Sequence, residues 1–222
     1  RLAAGEDNRE VWNTYGPTEA TVVACAARLD GESPVSIGLP LPGTLVEVID
    51  KDDKRTVMPQ GEIGEICIRG PQVMLGYLNR ADETDQVLRN GRLHTGDVGY
   101  MDAQGYFYIV DRLKEMIKVS GYNVYPRNVE EEIYTHPGVA ECAVVGLTHP
   151  TRGQMIKAYI VRKEGASLDE AEVKAYLKPR ITAYAIPHAV EFRDALPKSA
   201  IGKILKKELL AEEQQRAGTP TA

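Results

Sequence analysis

The sequence has little cysteine, no long apolar run and no excess of positive charge. Its cysteines, Cys25, Cys67 and Cys142, are odd in number, widely spaced and set in apolar runs, which favours buried reduced thiols over disulfides or a metal site. No apolar stretch reaches the ~20 residues that a membrane span needs. No signal peptide, internal repeat or low-complexity segment is visible.

The charge balance argues against a nucleic-acid partner. The net charge is -5, from 27 Lys and Arg against 32 Asp and Glu, although basic residues cluster between Lys198 and Lys207. The 222 residues leave room for one large domain or two smaller ones, and contents of 43% hydrophobic and 27% charged residues are ordinary for globular proteins. We expect part of a cytoplasmic enzyme.

The most informative segment runs from Asp111 to Val124. It follows the alternating aromatic stretch 106–110, which predicts a strand, and it places Lys114 and Lys118 just before the Ser120-Gly121 loop. Charge packed this densely between apolar strands indicates an anionic ligand at a domain edge. A solvated strand face with scattered lysines explains the same pattern about equally well.

A second segment, Asn13-Thr14-Tyr15-Gly16-Pro17-Thr18-Glu19, combines a turn with hard oxygen atoms. Gly16 relaxes the backbone and Pro17 restricts φ, so a turn is expected after the apolar-aromatic strand. Thr18 and Glu19 then project a hydroxyl and a carboxylate, which suit Mg²⁺ carrying phosphates. An ordinary helix start with an acidic first turn is the alternative.

Two further segments each offer one charged residue, the first after a polar loop and the second on a loop. In His94-Thr95-Gly96-Asp97, Asp97 is an acceptor suited to the hydroxyls of a ribose, or else a turn residue bonded to local amides. In Pro197-Lys198-Ser199-Ala200-Ile201-Gly202-Lys203, Lys203 sits on a glycine-containing loop. Taken alone, such a lysine is most often only solvated.

In order and spacing, these four segments resemble the second half of the AMP-forming acyl-CoA synthetase and adenylation-domain superfamily. The resemblance covers nearly the whole chain, from about Val11 to about Leu210. Within the superfamily, Asp111-Arg112-Leu113-Lys114 together with 119–126 is most similar to the fatty-acyl-CoA ligases. Amino-acid-activating modules usually carry an Arg-Gly loop where this chain has Ser120-Gly121-Tyr122.

The resemblance implies a two-step reaction that joins a carboxylic acid to coenzyme A through an acyl-adenylate, with ATP and Mg²⁺. It also implies the site residues. The catalytic residues would be Thr18, Glu19 and Lys203, with Glu19 as the metal ligand. The nucleotide would contact Tyr15, Gly16, Asp97 and Arg112. Lys114 would be the hinge, and coenzyme A would approach Lys118, Ser120, Gly121 and Tyr122. The Lys203 segment also resembles sites of regulatory lysine acetylation in this family.

One departure from the family pattern is large. The Ser/Thr/Gly-rich phosphate loop, expected well upstream of Asn13, is absent, as are most walls of the acid pocket. We therefore expect a C-terminal fragment of a longer enzyme, inactive or only structural by itself. An adenylation module that loads a carrier protein is the nearest alternative activity, and the end of the chain soon after Lys203 favours a free-standing ligase. The chain length of the acid and the oligomeric state stay open.

The predicted fold class is α+β. Residues 1–111 would be the strand-rich end of the large core domain, 112–114 the hinge, 115–213 a small swivelling α+β domain, and 214–222 a flexible tail. Strands are predicted at 21–26, 46–49, 64–69, 141–145, 156–162 and near 190–192. Helices are predicted at 81–88 and 126–134, near Ser167 with a Ser167–Glu170 capping box, and from Lys203.

Overall fold

In the computed structural model, residues 10–31, 34–151 and 153–218 are described. The chain forms two compact units, with the division between Leu113 and Lys114. Within the described ranges, no helix is both long enough and apolar enough to cross a membrane.

The first unit is rich in strands. Its elements are β1 Trp12–Tyr15, β2 Cys25–Arg28, β3 Leu39–Pro40, β4 Leu45–Ile49, β5 Gly64–Arg69, α1 Ala81–Val87, β6 Leu88–Arg89, β7 Arg92–Met101 and β8 Phe107–Arg112. The antiparallel strands β1, β2 and β3 form one sheet, and a second sheet has the order β4-β5-β7-β6 with β8 paired to β7. Ile66, Ile68, Leu93 and Phe107 are buried in one core with residues of the first sheet.

The second unit is a sheet covered on both faces. Its elements are β9 Ile117–Val119, β10 Tyr122–Val124, α2 Pro126–Tyr134, β11 Val139–His149, β12 Gly153–Arg162, α3 Glu170–Leu177, β13 Ala189–Arg193 and α4 Lys206–Gly218. The strand order is β10-β9-β12-β11, and β13 pairs with β12 in parallel.

Alternation along β11 explains why this sheet is buried on both sides, since successive side chains of a strand point to opposite faces. Cys142 and Val144 belong to the core that includes residues of α2 and α3. Ala143 and Val145 belong to a separate core with Leu209 of α4. The apolar run that predicted a strand here is therefore continuous because both faces are covered.

Several predicted elements are confirmed, and the fold class is α+β as expected. β5 and α2 have the predicted bounds, and Pro126 is in the first turn of α2, where its missing N–H costs nothing. α1 ends at Val87, one residue before the predicted end.

The strand predicted at 21–26 is wrong over 21–24. Thr21 and Val22 have φ angles of 53° and 75°, in the left-handed region that β-branched residues rarely adopt. They close a turn, and the strand begins only at Cys25. Apolar β-branched composition predicted a strand there, but the turn after Gly16-Pro17 extends further than that composition indicates.

The start of α3 also differs from the prediction. Asp169, and not Ser167, is the N-cap: its Oδ1 accepts the Glu172 N–H at 2.8 Å, and Glu172 Oε2 accepts the Asp169 N–H at 2.9 Å. Ser167–Glu170 and Asp169–Glu172 both have the spacing of a capping box, and Asp169–Glu172 forms it.

The last helix begins at Lys206 and not at Lys203, because Lys198 and Ile204 form an isolated antiparallel bridge that keeps the intervening residues in a turn. The predicted flexible tail is helical over 214–218, where the Arg216 guanidinium pairs with Glu191 at 2.8 Å. Residues 219–222 lie outside the described part of the chain.

Candidate active site

Asp97 is the centre of the site in the first unit. It lies on β7 with only 4% of its surface exposed, directly opposite Arg112 at the end of β8. Tyr15 Oη donates to Asp97 Oδ2 at 2.6 Å, and Arg112 Nε lies 2.7 Å from Asp97 Oδ1. Tyr15, 82 residues away in sequence, and Arg112, on the neighbouring strand, therefore meet at the Asp97 carboxylate.

Tyr15 is held as a hydrogen-bond donor. Burial and the neighbouring Asp97 carboxylate raise the pKa of the Tyr15 phenol well above its usual value, so the phenol keeps its proton at neutral pH. The turn after Tyr15 is tightly packed: a Cβ on Gly16 would lie 2.5 Å from the carbonyl oxygen of Val22. A side chain at position 16 would therefore displace the backbone that presents Thr18 and Glu19.

Thr18 and Glu19 begin a 3₁₀ turn immediately after Pro17. Thr18 is exposed, and Glu19 is half-buried. The Tyr77 hydroxyl donates to Glu19 Oε1, and this hydrogen bond, with some burial, raises the pKa of Tyr77 to about 12. The Glu19 carbonyl accepts the Met74 N–H at 2.8 Å, so both backbone and side chain of Glu19 are tied to the loop after β5.

Beside Asp97 is a polar cluster of Glu65, His94 and Lys54, in which Glu65 and His94 are buried. Glu65 Oε2 lies 2.7 Å from Lys54 Nζ and 2.9 Å from His94 Nδ1, and Glu65 Oε1 accepts the Gly96 N–H at 3.0 Å. Cys67 Sγ lies 3.3 Å from His94 Nδ1. Glu65, Cys67 and His94 offer metal-ligand atoms close together. However, burial raises the pKa of Cys67 to about 12, and the Lys54 ammonium already neutralises Glu65.

We expect Glu65 to make the stability of the chain depend on pH. Burial alone would raise the pKa of Glu65, but hydrogen bonds from His94 and Lys54 outweigh it and hold the pKa at about 2. The folded pKa is thus below the value of ~4.3 typical of an unfolded chain. The stabilisation is therefore complete above that unfolded value and is lost as the pH falls from about 4.5 to 2.

Urea unfolding of the chain between pH 7 and pH 2 checks this expectation. Glu65→Gln should unfold at lower urea than wild type at pH 7, and the difference between the two should shrink below pH 4.5. The exposed Glu62, substituted as Glu62→Gln, serves as the matched control. Parallel pH curves for wild type and Glu65→Gln would contradict the expectation.

In the second unit, the predicted hinge and coenzyme A residues lie near its start. Lys114 is exposed in a 3₁₀ turn that joins β8 to β9. Ser120 and Gly121 connect β9 to β10 with φ angles of 49° and 89°, the signature of a tight hairpin turn. A Cβ on Gly121 would meet nothing within 4 Å in this structure, so the positive φ is the local reason for glycine here.

Tyr122 and Lys118 flank this turn on exposed positions. Tyr122 is 56% exposed, and its ring stacks on Tyr184 with ring centroids 4.5 Å apart and nearly parallel planes. Lys118 is exposed, and its backbone N–H donates to Gln154 Oε1 at 2.7 Å.

Lys203 lies at the end of a closed turn in the second unit. The Ser199 N–H donates to the Lys203 carbonyl at 2.8 Å, and the Lys203 N–H donates to Ser199 Oγ at 3.2 Å. Gly202 has a φ of 82°, which this turn requires. The Lys203 side chain is exposed, and its backbone is held in place by the turn.

Sequence reasoning missed Tyr77 and Glu65. Tyr77 is 58 residues from Glu19, and Glu65 is 31 residues from Gly96, so no local pattern links them. A weak signal was present for Glu65: an acid that alternates into the buried face of a predicted strand needs a partner.

Two family models match the chain. The model of the AMP-binding enzymes matches residues 2–78, and that of the AMP-binding enzyme C-terminal domain matches residues 128–203. The chain therefore belongs to the AMP-binding, adenylate-forming enzyme family.

Curated relatives of the chain include long-chain-fatty-acid–CoA ligases. The chain is 49% identical over 177 residues to a long-chain-fatty-acid–CoA ligase of Escherichia coli, covering 80% of the chain and 31% of the relative. It is 46% identical over 202 residues to a protein of the same name in Bacillus subtilis, covering 90% of the chain and 36% of the relative. The chain thus spans about a third of the length of these relatives.

A solved structure gives the same fold. ATP-bound MatB from Rhodopseudomonas palustris superposes with a TM-score of 0.85 at 35% identity, covering 93% of this chain and 41% of that one.

Proposed function

We propose that the whole protein activates a carboxylic acid, most specifically a long-chain fatty acid, and transfers it to coenzyme A. In the first step the carboxylate attacks the α-phosphate of ATP and releases pyrophosphate. In the second step the thiol of coenzyme A displaces AMP from the acyl-adenylate. The names of the Escherichia coli and Bacillus subtilis relatives support both the reaction and the fatty acid.

The observation that carries the proposal is the coordination of Asp97. An ionised carboxylate has about four lone-pair sites, and Tyr15 and Arg112 use two of them. The sites left over suit the two hydroxyls of a ribose. Arg112 adds positive charge at an exposed edge, and the Tyr15 ring offers an apolar face to the adenine.

The residues at the start of the 3₁₀ turn fit Mg²⁺. Glu19 offers a half-buried carboxylate whose Oε1 is already oriented by Tyr77, and oxygen ligands are those that Mg²⁺ prefers. When bound, the ion would neutralise phosphate charge. Tyr77 orients the Glu19 carboxylate, and the exposed Thr18 hydroxyl can donate to a phosphate oxygen.

The second unit would supply the groups that differ between the two steps. Both reactants of the first step are anionic, so the exposed ammonium group of Lys203, on its long flexible stem, is suited to bridge them. In the second step the hairpin turn at Ser120-Gly121, flanked by Lys118 and Tyr122, would meet the thiol arm of coenzyme A. We propose that the second unit swivels at Lys114 between these tasks.

A cytoplasmic enzyme fits this reaction, because ATP and coenzyme A are its substrates and the three buried cysteines are free thiols. We propose no nucleic-acid partner, because the net charge of -5 does not favour binding to phosphates.

Activity assays of the whole protein test the proposal. With ATP, Mg²⁺ and a long-chain fatty acid it should release pyrophosphate, and adding coenzyme A should yield acyl-CoA and AMP in equal amounts. Asp97→Asn should raise the KM for ATP more than it lowers kcat, because Asn cannot accept at both positions. Transfer to a carrier protein but not to coenzyme A would identify the alternative adenylation activity, and absence of acid-dependent pyrophosphate release would refute the proposal.

A further inference from the structure

We infer that Glu65 is a positioning residue for nucleotide binding: its buried carboxylate holds the backbone of β7 so that Asp97 faces the ribose. The inference rests on the proposed function, because it needs Asp97 to bind the ribose of ATP. The evidence is the hydrogen bonding between β5 and β7.

The hydrogen-bond ladder between β5 and β7 is interrupted next to Asp97. Glu65 pairs with Val98 and Cys67 pairs with His94, so the single residue Ile66 faces the three residues 95–97. Such a bulge leaves backbone groups of the longer strand without a ladder partner and re-aims its side chains. Asp97 is the last residue of the bulge.

Side chains replace the missing ladder bonds. Glu65 Oε1 accepts the Gly96 N–H at 3.0 Å, and Gly96 has a φ of 73°, which allows the bulge. Thr95 Oγ1 donates to the Ile66 carbonyl at 2.7 Å and accepts the Asp97 N–H at 3.1 Å. Thr95 and Glu65 therefore tie down the two residues before Asp97.

Glu65 can hold the Gly96 N–H in the buried bulge only as a carboxylate whose two oxygens both have hydrogen-bond donors. It is 3% exposed, and Lys54 and His94 both donate to its other oxygen. Three donors therefore converge on one side chain. A glutamine there accepts through one oxygen only and would present its NH₂ group to at least one of these donors. Glu65→Gln therefore changes volume little but loosens the bulge.

A loosened bulge would weaken the contact of Asp97 with the ribose and would leave contacts with the rest of the nucleotide unchanged. Asp97 contacts Tyr15 and Arg112 from its place in β7, so a small shift of 95–97 misplaces the carboxylate relative to both. Misplacement by about 1 Å can cost up to ~100-fold in rate. The deficit should appear only with a nucleotide that carries the ribose hydroxyls.

The experiment compares ATP with 2′,3′-dideoxy-ATP in acyl-adenylate formation by the whole protein. Wild type should prefer ATP in kcat/KM, and Glu65→Gln should lose roughly tenfold of that preference, with little change for dideoxy-ATP. Glu47→Gln is the matched control: Glu47 lies on β4 opposite Cys67, at the edge of the bulge, but its carboxylate binds Arg92, which lies outside residues 95–97. It should keep the full preference.

Each of the following results would overturn the inference. Equal losses with both nucleotides would make Glu65 a general structural residue, and an unchanged preference would show that it does not position Asp97. If wild type shows no preference at all, the ribose role of Asp97 in the proposed function fails, and the inference fails with it. Should Glu65→Gln not fold by thermal melting, Lys54→Met must lower the preference in its place, and a preference equal to wild type would overturn the inference.

Discussion

Replacing Lys203 by alanine should abolish acyl-adenylate formation by the whole protein while thioester formation from supplied acyl-adenylate stays largely intact. Removing one preorganised donor to developing negative charge typically costs ~10²–10³ in rate. In the proposed reaction only the first step brings a carboxylate against a phosphate, so we expect only that step to need this cation. The Lys203 side chain is exposed and the turn is held by backbone and Ser199 contacts, so Lys203→Ala should leave the fold unchanged.

Measurement of the two half-reactions separately checks this division. Pyrophosphate release reports the first step, and acyl-CoA formation from synthetic acyl-adenylate reports the second. Lys207→Ala, an exposed lysine in the first turn of α4, is the matched control and should affect neither step strongly. Equal losses in both half-reactions of Lys203→Ala would refute the assignment. Acetylation of Lys203 removes the same charge and should reproduce the alanine variant.

Replacing Lys114 by proline should have the second large effect, this time on the thioester step. Proline fixes φ at position 114 and disfavours helical backbone at Leu113, so both sides of the division between the units lose freedom. If the second unit swivels there, one pose is trapped. Adenylation should survive and thioester formation should collapse, because conformational steps can limit turnover when all contacts are intact.

Lys114→Ala separates the loss of the side chain from the restriction of the backbone. Lys114 is exposed in its 3₁₀ turn, so the alanine variant should affect both half-reactions little. Modest and parallel losses in Lys114→Pro would instead mean that this segment is a passive linker.

Local rules predicted much of the fold. β5 and α2 were predicted to the residue because Gly61 and Gly70 bracket one and Pro126 starts the other, and these signals act within a few residues. The turn at Thr21 and Val22 was missed because β-branched composition favours a strand there. Local backbone bonds, with the Thr21 N–H donating to the Thr18 carbonyl at 3.1 Å, close the turn instead, and Thr21 Oγ1 adds a bond to the Gln72 carbonyl at 2.8 Å, 51 residues away.

The sequence by itself determined the family of this protein and which residue types its site offers. Four short motifs, each weak alone, have a joint order and spacing specific enough to identify the adenylate-forming enzymes, as the family models confirm. The sequence shows that position 97 carries a carboxylate, because the functional group of a residue does not depend on its surroundings.

Only the tertiary structure decided which groups act on one another. Tyr15 reaches Asp97 across 82 residues, Tyr77 reaches Glu19 across 58, and Glu65 supports Gly96 across 31. These contacts depend on strand register and on a bulge in β7, which are set by how whole sheets pack and not by neighbouring residues. Burial strengthens the contacts of Asp97 and Glu65, because a buried polar group must find a partner inside the fold.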